Sequence, residues 1–365
     1  MKNKILFLLH LPPPVHGSSM VGKWIQGSAL LNEKFSCCFI NLLASKKVSD
    51  TGKVKFSKIT SFVIIWLQLL KTLIVNRPKL VYVAITATGF AFYRDVLFVF
   101  LIKVFKVKRV YHMHNKGVSI NRGSRFHNLL YSFVFKNAEV ILLSQLLYND
   151  VSTFVSKENI HICPNGISPF IESIPKVSKE VNKVKLLFLS NLIETKGVNV
   201  LLDACSLLKE KGVSFECVFI GGEGDINAED FNLRIKSFGL KSEVSYVGKK
   251  YGKDKYIYML ESDIFVFPTY YSNETFGLVN LEAMQARLPV VSTDEGGIPD
   301  VVVDGVTGFI IPKRNPIALA EKLEMLIQNP KLRLEMGEAG YKKYKKEFTL
   351  EVFEQKLSNI LHKLV

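Results

Sequence analysis

The sequence predicts an α/β protein built of two Rossmann-like domains. Apolar runs of strand length recur through all 365 residues, helix-length stretches separate them, and the pattern restarts midway after a polar, proline-containing segment. In the first half the strand-like runs are residues 4–9, 80–85, 109–113 and 140–144. In the second half they are 185–190, 214–220, 244–247, 264–268, 288–292 and 308–311. Most are continuously apolar, as expected of parallel strands buried on both faces. Helices are expected over 198–211, 277–286 and 317–328. The break at 168–182 holds Pro169 and Pro175, so the domains are read as 1–170 and 171–349. A last helix over 350–365 carries Val352, Phe353, Leu357, Ile360 and Leu361 at helical spacing, and its docking site is not specified by the sequence. Two such sheets are expected to face each other across a central cleft, with substrate between them.

Composition narrows the class further. Hydrophobic residues make up 48% and charged residues 22%, which excludes a disordered, collagenous or coiled-coil chain. Cys37, Cys38, Cys163, Cys205 and Cys217 form no C-x-x-C pair, which argues against zinc and disulfides and for a reducing compartment. The start, MKNKILFLLHLPPPV, is interrupted by His10 and ends in three prolines, so it reads as a buried strand rather than a signal peptide. The apolar stretches 61–75 and 96–105 are too short to span a bilayer and are flanked or broken by Lys71, Arg94, Asp95 and Lys103.

The net charge of +15 is not spread evenly. Residues 1–170 hold 22 Lys and Arg against 6 Asp and Glu, a surplus of +16, and residues 171–365 are at −1. A basic surplus confined to one half indicates an anionic partner. Lys46, Lys47, Lys53, Lys55 and Lys58 precede one apolar stretch, while Lys103, Lys106, Lys108 and Arg109 follow another. Beside Trp66, Phe98, Phe100 and Phe105 they suit an anionic membrane surface. No RNA-binding motif accompanies the charge, so nucleic acid is not expected as a partner.

The unusual residues fall in loops after strands. Gly17 follows the first strand in the loop 12–19, where backbone amides at a helix start can approach an anion. Neither this loop nor Gly221-Gly222-Glu223-Gly224 completes the three-glycine dinucleotide fingerprint, which disfavours hydride transfer. His112 and His114 end the strand 109–113; a core role fits His112 better, and His114 is placed to meet a sugar hydroxyl or a leaving phosphate. Two histidines without a third ligand make a poor metal site. Lys196 and Gly197 open a helix after the strand 185–190, and a lysine there offers a compact charge to phosphate. The most specific segment is 270–284 (YYSNETFGLVNLEAM). It places Glu274 in the loop beyond a strand, Gly277 and Leu278 at a helix start suited to a diphosphate, and Glu282 one turn on, where a carboxylate can accept ribose hydroxyls.

With Glu274, seven residues and Glu282, this segment resembles the signature of retaining GT-B glycosyltransferases of glycosyltransferase family four (glycosyl transferases group 1). The Lys196-Gly197 loop, Gly221–Gly224, VSYVG at 244–248, PVVSTDEGGIPD at 289–300 and DGVTG at 304–308 follow in the family's order. The resemblance implies that Glu274 contacts the donor sugar near the reacting carbon, with Lys196 stabilising the leaving phosphate. It also implies Glu282 on the ribose, the Gly277 and Leu278 amides on the diphosphate, Val247 and Gly248 against the base, Gly17 near the donor phosphates and His114 facing the sugar. The resemblance also places Asn191, Gly222 and Phe276 in the expected donor-binding set. Many family members carry Arg where this chain has Asn191, so Lys196 acts with helix amides alone or another basic residue substitutes. No Asp-x-Asp triplet occurs, so no metal and no cofactor is expected.

The expected activity is retaining transfer from a nucleoside-diphosphate sugar, UDP before GDP, to a saccharide acceptor. The resemblance implies that the acceptor is lipid-diphosphate-linked, at the cytoplasmic face of the cell membrane, in surface polysaccharide biosynthesis. The implied attack is from the front face, the donor phosphate taking the acceptor proton. The alternatives are a nucleotide-sugar epimerase of GT-B fold and a non-catalytic subunit of a polysaccharide assembly complex. Intact Glu274, Lys196 and Glu282 count against the second.

Overall fold

The computed structural model describes residues 2–42, 56–170 and 183–365, without the side chains of 56–59. Lys46, Lys47, Lys53, Lys55, the Lys58 side chain and Pro175 lie outside what is described. The chain forms two compact units, 1–166 with 350–365, and 167–349.

The first unit is built on a six-stranded parallel sheet. Its strands are β1 (Lys4–Leu9), β2 (Ser36–Asn41), β3 (Leu80–Val83), β4 (Lys108–His112), β5 (Glu139–Leu142) and β6 (Ile160–Ile162). They lie in the order β2-β1-β3-β4-β5-β6. Ile5 to Leu9 and Leu80 to Val83 are fully buried, which is why these runs are continuously apolar. The order reverses between β1 and β3, so the loops after these two strands part to opposite sides and leave a crevice at the carboxyl edge.

The second unit repeats the plan with β7 (Val184–Leu189), β8 (Phe215–Ile220), β9 (Val244–Tyr246), β10 (Ile264–Phe267), β11 (Val290–Thr293) and β12 (Gly308–Ile311). Their order, β12-β11-β10-β7-β8-β9, is that of the dinucleotide-binding fold, with its switch point between β7 and β10. Leu186 and Leu187 pair with Ile264 and Phe265 across that switch. All ten strands read from the sequence are present. The two that reading omitted, β2 and β6, close the edges of the first sheet, where side chains are only half-buried and the apolar signal is weak.

Helix Leu350–Leu364 belongs to the first unit. Phe353, Leu357, Leu361 and Leu364 form its buried stripe; it packs against helix Ala29–Lys34, and Phe353 stacks on His112 at 6.5 Å. The aromatic and basic residues expected together on a surface divide instead. Phe98 is fully buried and Arg109 nearly so, because the helix turns Phe98 toward the sheet and Arg109 lies within β4. Phe100 is exposed, and Trp66 and Phe105 are half-buried. No helix among the described residues is long and apolar enough to cross a membrane.

Candidate active site

In the second unit the site is assembled by the two loops at the switch point. The loop after β7 ends in a short 3-10 turn, Glu194–Lys196, and then Gly197, at φ 89°, starts helix Val198–Glu210. A Cβ at Gly197 would stand 2.3 Å from the Pro268 carbonyl oxygen, so only glycine lets this loop lie against the one after β10. The Tyr270 amide donates to the Thr195 carbonyl at 2.7 Å and ties the two loops together. Lys196 and Glu274 then meet, Nζ to Oε2, at 2.6 Å, both largely shielded from water. The Lys196 ammonium also lies 4.4 Å from the centre of the Tyr271 ring.

The other oxygen of Glu274 accepts the Gly277 amide at 3.1 Å. Gly277, at φ 68°, caps helix Leu278–Gln285, so that helix begins beside the ion pair. Its dipole and the free amides of its first turn favour negative charge there. Behind the loop, the Gly297 amide donates to the Thr275 carbonyl at 2.8 Å, which places the DEGG turn as a support for Glu274. Phe276 is buried and meets Phe348 edge-on at 5.8 Å; it anchors the loop in the core. Asn280 is fully buried next to Gly277, and its side-chain amide finds no hydrogen-bond partner among the described residues.

Glu282 is held by Lys255, Oε1 to Nζ at 2.6 Å. Lys255 comes from helix Gly252–Glu261, with its ammonium 4.6 Å from the Tyr256 ring centre, and Tyr256 stacks on Phe170 at 3.8 Å. Burial raises the Tyr256 pKa, opposed by Lys255 and reinforced by Glu282.

A third cluster joins the loops after β7, β8 and β9. Asn191 Oδ1 accepts the Gly222 amide at 3.0 Å, and the Gly221 amide donates to the Gly248 carbonyl at 3.0 Å. Val247 continues β9, its amide donating to the Phe219 carbonyl at 3.1 Å. The Lys249 side chain lies across Gly222: a Cβ there would stand 2.0 Å from its Cε and 3.2 Å from Asn191 Oδ1. A cation is therefore present where Asn191 supplies none. Val247, Gly248 and Leu278 are half-buried and open to a ligand.

Gly17 and His114 lie in the first unit, in the loops after β1 and β4. His16 caps helix Gly17–Gly27, its Nδ1 accepting the Ser19 amide at 3.3 Å, and leaves Gly17 exposed at the helix start. His114 sits 4.1 Å from His112, ring centre to ring centre. Burial first, then the charge on His16, lowers the His114 pKa to about 3, so its imidazole is neutral at physiological pH. His112 is pushed well below the ordinary histidine value by burial and by His114, and its Nδ1 hydrogen-bonds the Tyr82 hydroxyl. The core role read for His112 fits that placement. His10 is also pushed well below the ordinary value, by burial, Arg94, His16 and His114 in that order.

The geometry thus brings Glu274, Lys196 and Gly277 together, gathers Asn191, Gly222, Val247 and Gly248, and pairs Glu282 with a lysine. Lys255, Lys249 and Asn280 were not singled out in the sequence. The one signal for the lysines is the basic tract KKYGKDK at 249–255, directly after a strand.

Residues 170–343 match the family Glycosyl transferases group 1. The amylovoran biosynthesis glycosyltransferase AmsK of Erwinia amylovora is 28% identical over 269 residues, covering 72% of this chain and 66% of that protein. The capsular polysaccharide biosynthesis glycosyltransferase CapM of Staphylococcus aureus is 29% identical, covering 62% of each. The chain thus aligns with less than two thirds of the length of either relative. Among solved structures, Anabaena Alr3699/HepE in complex with UDP superposes with a TM-score of 0.78 at 17% identity, covering all of both chains. Sucrose-phosphate synthase from Thermosynechococcus elongatus superposes with a TM-score of 0.75 at 17% identity, covering 100% of this chain and 99% of that one. The fold is of the GT-B class.

Proposed function

Because its second unit belongs to the glycosyl transferases group 1 family, we propose that this chain transfers a sugar from a UDP-sugar to a saccharide acceptor, with retention of configuration. The observation that carries the reading is the Lys196–Glu274 pair at 2.6 Å beside the start of helix Leu278–Gln285, at the switch point of the second sheet. A nucleoside diphosphate there gains the Lys196 charge and the helix amides as its bond to the sugar breaks, which is where preorganised charge lowers a barrier most. Release of Lys196 toward the phosphate frees a Glu274 oxygen for the donor sugar. Glu282, presented by the same helix, accepts the ribose hydroxyls, and Lys255 holds its carboxylate in place beforehand. Lys249 takes the second phosphate contact that Asn191 cannot make.

In this reading the donor phosphate takes the acceptor proton, and Lys196, Lys249 and the helix start carry the leaving charge, with no divalent cation and no cofactor needed. UDP is favoured because HepE, which shares the fold, was solved with UDP. The relatives' names, in amylovoran and capsular polysaccharide biosynthesis, support a surface-polysaccharide setting. The basic first half supports a lipid-diphosphate-linked acceptor at the inner face of the cell membrane.

Thermal melting with UDP, GDP, ADP and CDP, with and without EDTA, tests this. UDP at about 100 times its dissociation constant should stabilise by about 2.7 kcal/mol, unchanged by EDTA. Glu282→Ala should weaken UDP binding about tenfold. No shift with any nucleotide, or a shift that EDTA removes, would overturn the donor assignment or its metal independence respectively.

A further inference from the structure

The outer surface of the first unit carries an apolar ridge in an unexpected place. Helix Gly89–Val104 connects β3 to β4 and buries Phe92, Phe98, Val99 and Ile102 against its own unit. A helix with one face so covered normally presents polar side chains on the other. Here the outward positions are Phe90, Tyr93, Leu97, Phe100 and Val104, spaced three, four, three and four apart. Phe90 is 67% exposed and Val104 57%, so the stripe faces solvent along the whole helix. The flanking helices extend it. Helix Phe56–Val75, joined through the Phe62–Phe98 stack at 5.5 Å, exposes Ile64 and Leu67. Helix Arg125–Phe135, joined through Tyr93 and Phe126 at 6.4 Å, exposes Phe126 and Leu129. An exposed apolar face spread over three helices marks an interaction surface.

The charge around it identifies the partner. Residues 56–138 contain thirteen Lys and Arg and a single acidic residue, Asp95. Asp95 is fully buried and bound by Arg94 at 2.7 Å, so no carboxylate of this stretch faces outward. Lys71, Lys106, Arg125 and Lys136, within or just past these three helices, are exposed. A second copy of the chain would set these cations against their own kind. An anionic bilayer supplies both complements, with acyl chains for the ridge and headgroup phosphates for the cations around it.

We infer that the outer face formed by helices Phe56–Val75, Gly89–Val104 and Arg125–Phe135 docks on an anionic lipid surface, with Phe90, Leu97 and Phe100 entering the headgroup–acyl boundary. This rests on the membrane-facing part of the reading above and not on its chemistry, since the surface lies wholly within the first unit. Flotation of the full chain with phosphatidylcholine vesicles, with and without phosphatidylglycerol, tests it without any sugar transfer. The chain should float with the phosphatidylglycerol vesicles alone and be released by high salt. Leu97→Ser/Phe100→Ser should lower the bound fraction about tenfold while the melting temperature holds, because both side chains already face water. Failure to bind phosphatidylglycerol vesicles, or equal binding by the double variant, would overturn the inference. So would a dimer that the same two substitutions dissolve, which would assign the face to a second copy.

Discussion

At the scale of single residues, the candidate site is a set of charges that hold one another. Glu274 and Lys196 are paired at 2.6 Å, Glu282 and Lys255 likewise, and each pair is mostly shielded from water. Shielding makes an unpaired charge costly, so each lysine keeps its carboxylate oriented. Glu274→Ala should lower turnover about 100- to 1000-fold if, as proposed, the carboxylate serves the reacting sugar; the substitution also removes the partner that places Lys196. UDP binding should persist in this variant, because Lys196, Lys249 and the helix start remain. Turnover near the parent's would remove Glu274 from the mechanism. Glu274, Gly277 and Glu282 are legible in the sequence because one segment carries them from a loop end into the helix after it, and Lys196 because it opens a helix directly after a strand. Lys255 and Lys249 were not, because what makes them notable is the partner each meets, and that partner lies at least 27 residues away in the chain.

At the scale of elements, the site depends on two loops that can touch only because one residue lacks a side chain. Gly197 combines φ 89° with the Pro268 carbonyl 2.3 Å from where its Cβ would be. Gly197→Ala should destabilise the chain by about 1–3 kcal/mol and push the Lys196 loop away from the Glu274 loop. Urea unfolding checks the first effect, and a weakened response to UDP in thermal melting checks the second. A variant with parental stability and UDP response would show that the loops have slack which the contact denies. The elements themselves divide by burial in how well the sequence declares them. The inner strands β1, β3, β7 and β10 are apolar apart from Lys4 and Lys185 near the starts of β1 and β7, since helices cover both faces of a parallel sheet. β2 and β6, at the edges, lack that signature. Helix Gly89–Val104 misleads in the opposite direction. With apolar residues on both faces, its sequence does not say which one turns inward: Phe98, expected at the surface with Phe100, is buried, while Phe100 is exposed.

At the scale of the whole molecule, the two units should differ in how they answer to pH. His10, His112 and His114 all lie in the first unit, and burial lowers the pKa of each below its unfolded value of 6.5. Their folded forms stay neutral where the unfolded chain takes up protons, so their contribution to stability is fully present above pH 6.5. It is lost progressively as pH falls below 6.5 toward the folded values, which for His114 is about 3. The slope is at most about 1.4 kcal/mol per pH unit for each histidine. Both tryptophans, Trp24 and Trp66, also belong to the first unit, so intrinsic fluorescence follows its unfolding alone. Urea midpoints read by tryptophan should be flat from pH 8 to 7 and fall steadily from 6.5 to 5. His114→Gln, which keeps a neutral hydrogen-bonding side chain, should make that fall shallower. A midpoint indifferent to acid would mean that these imidazoles stay neutral at no cost, and would remove the electrostatic basis for treating His114 as a neutral hydrogen-bonding group.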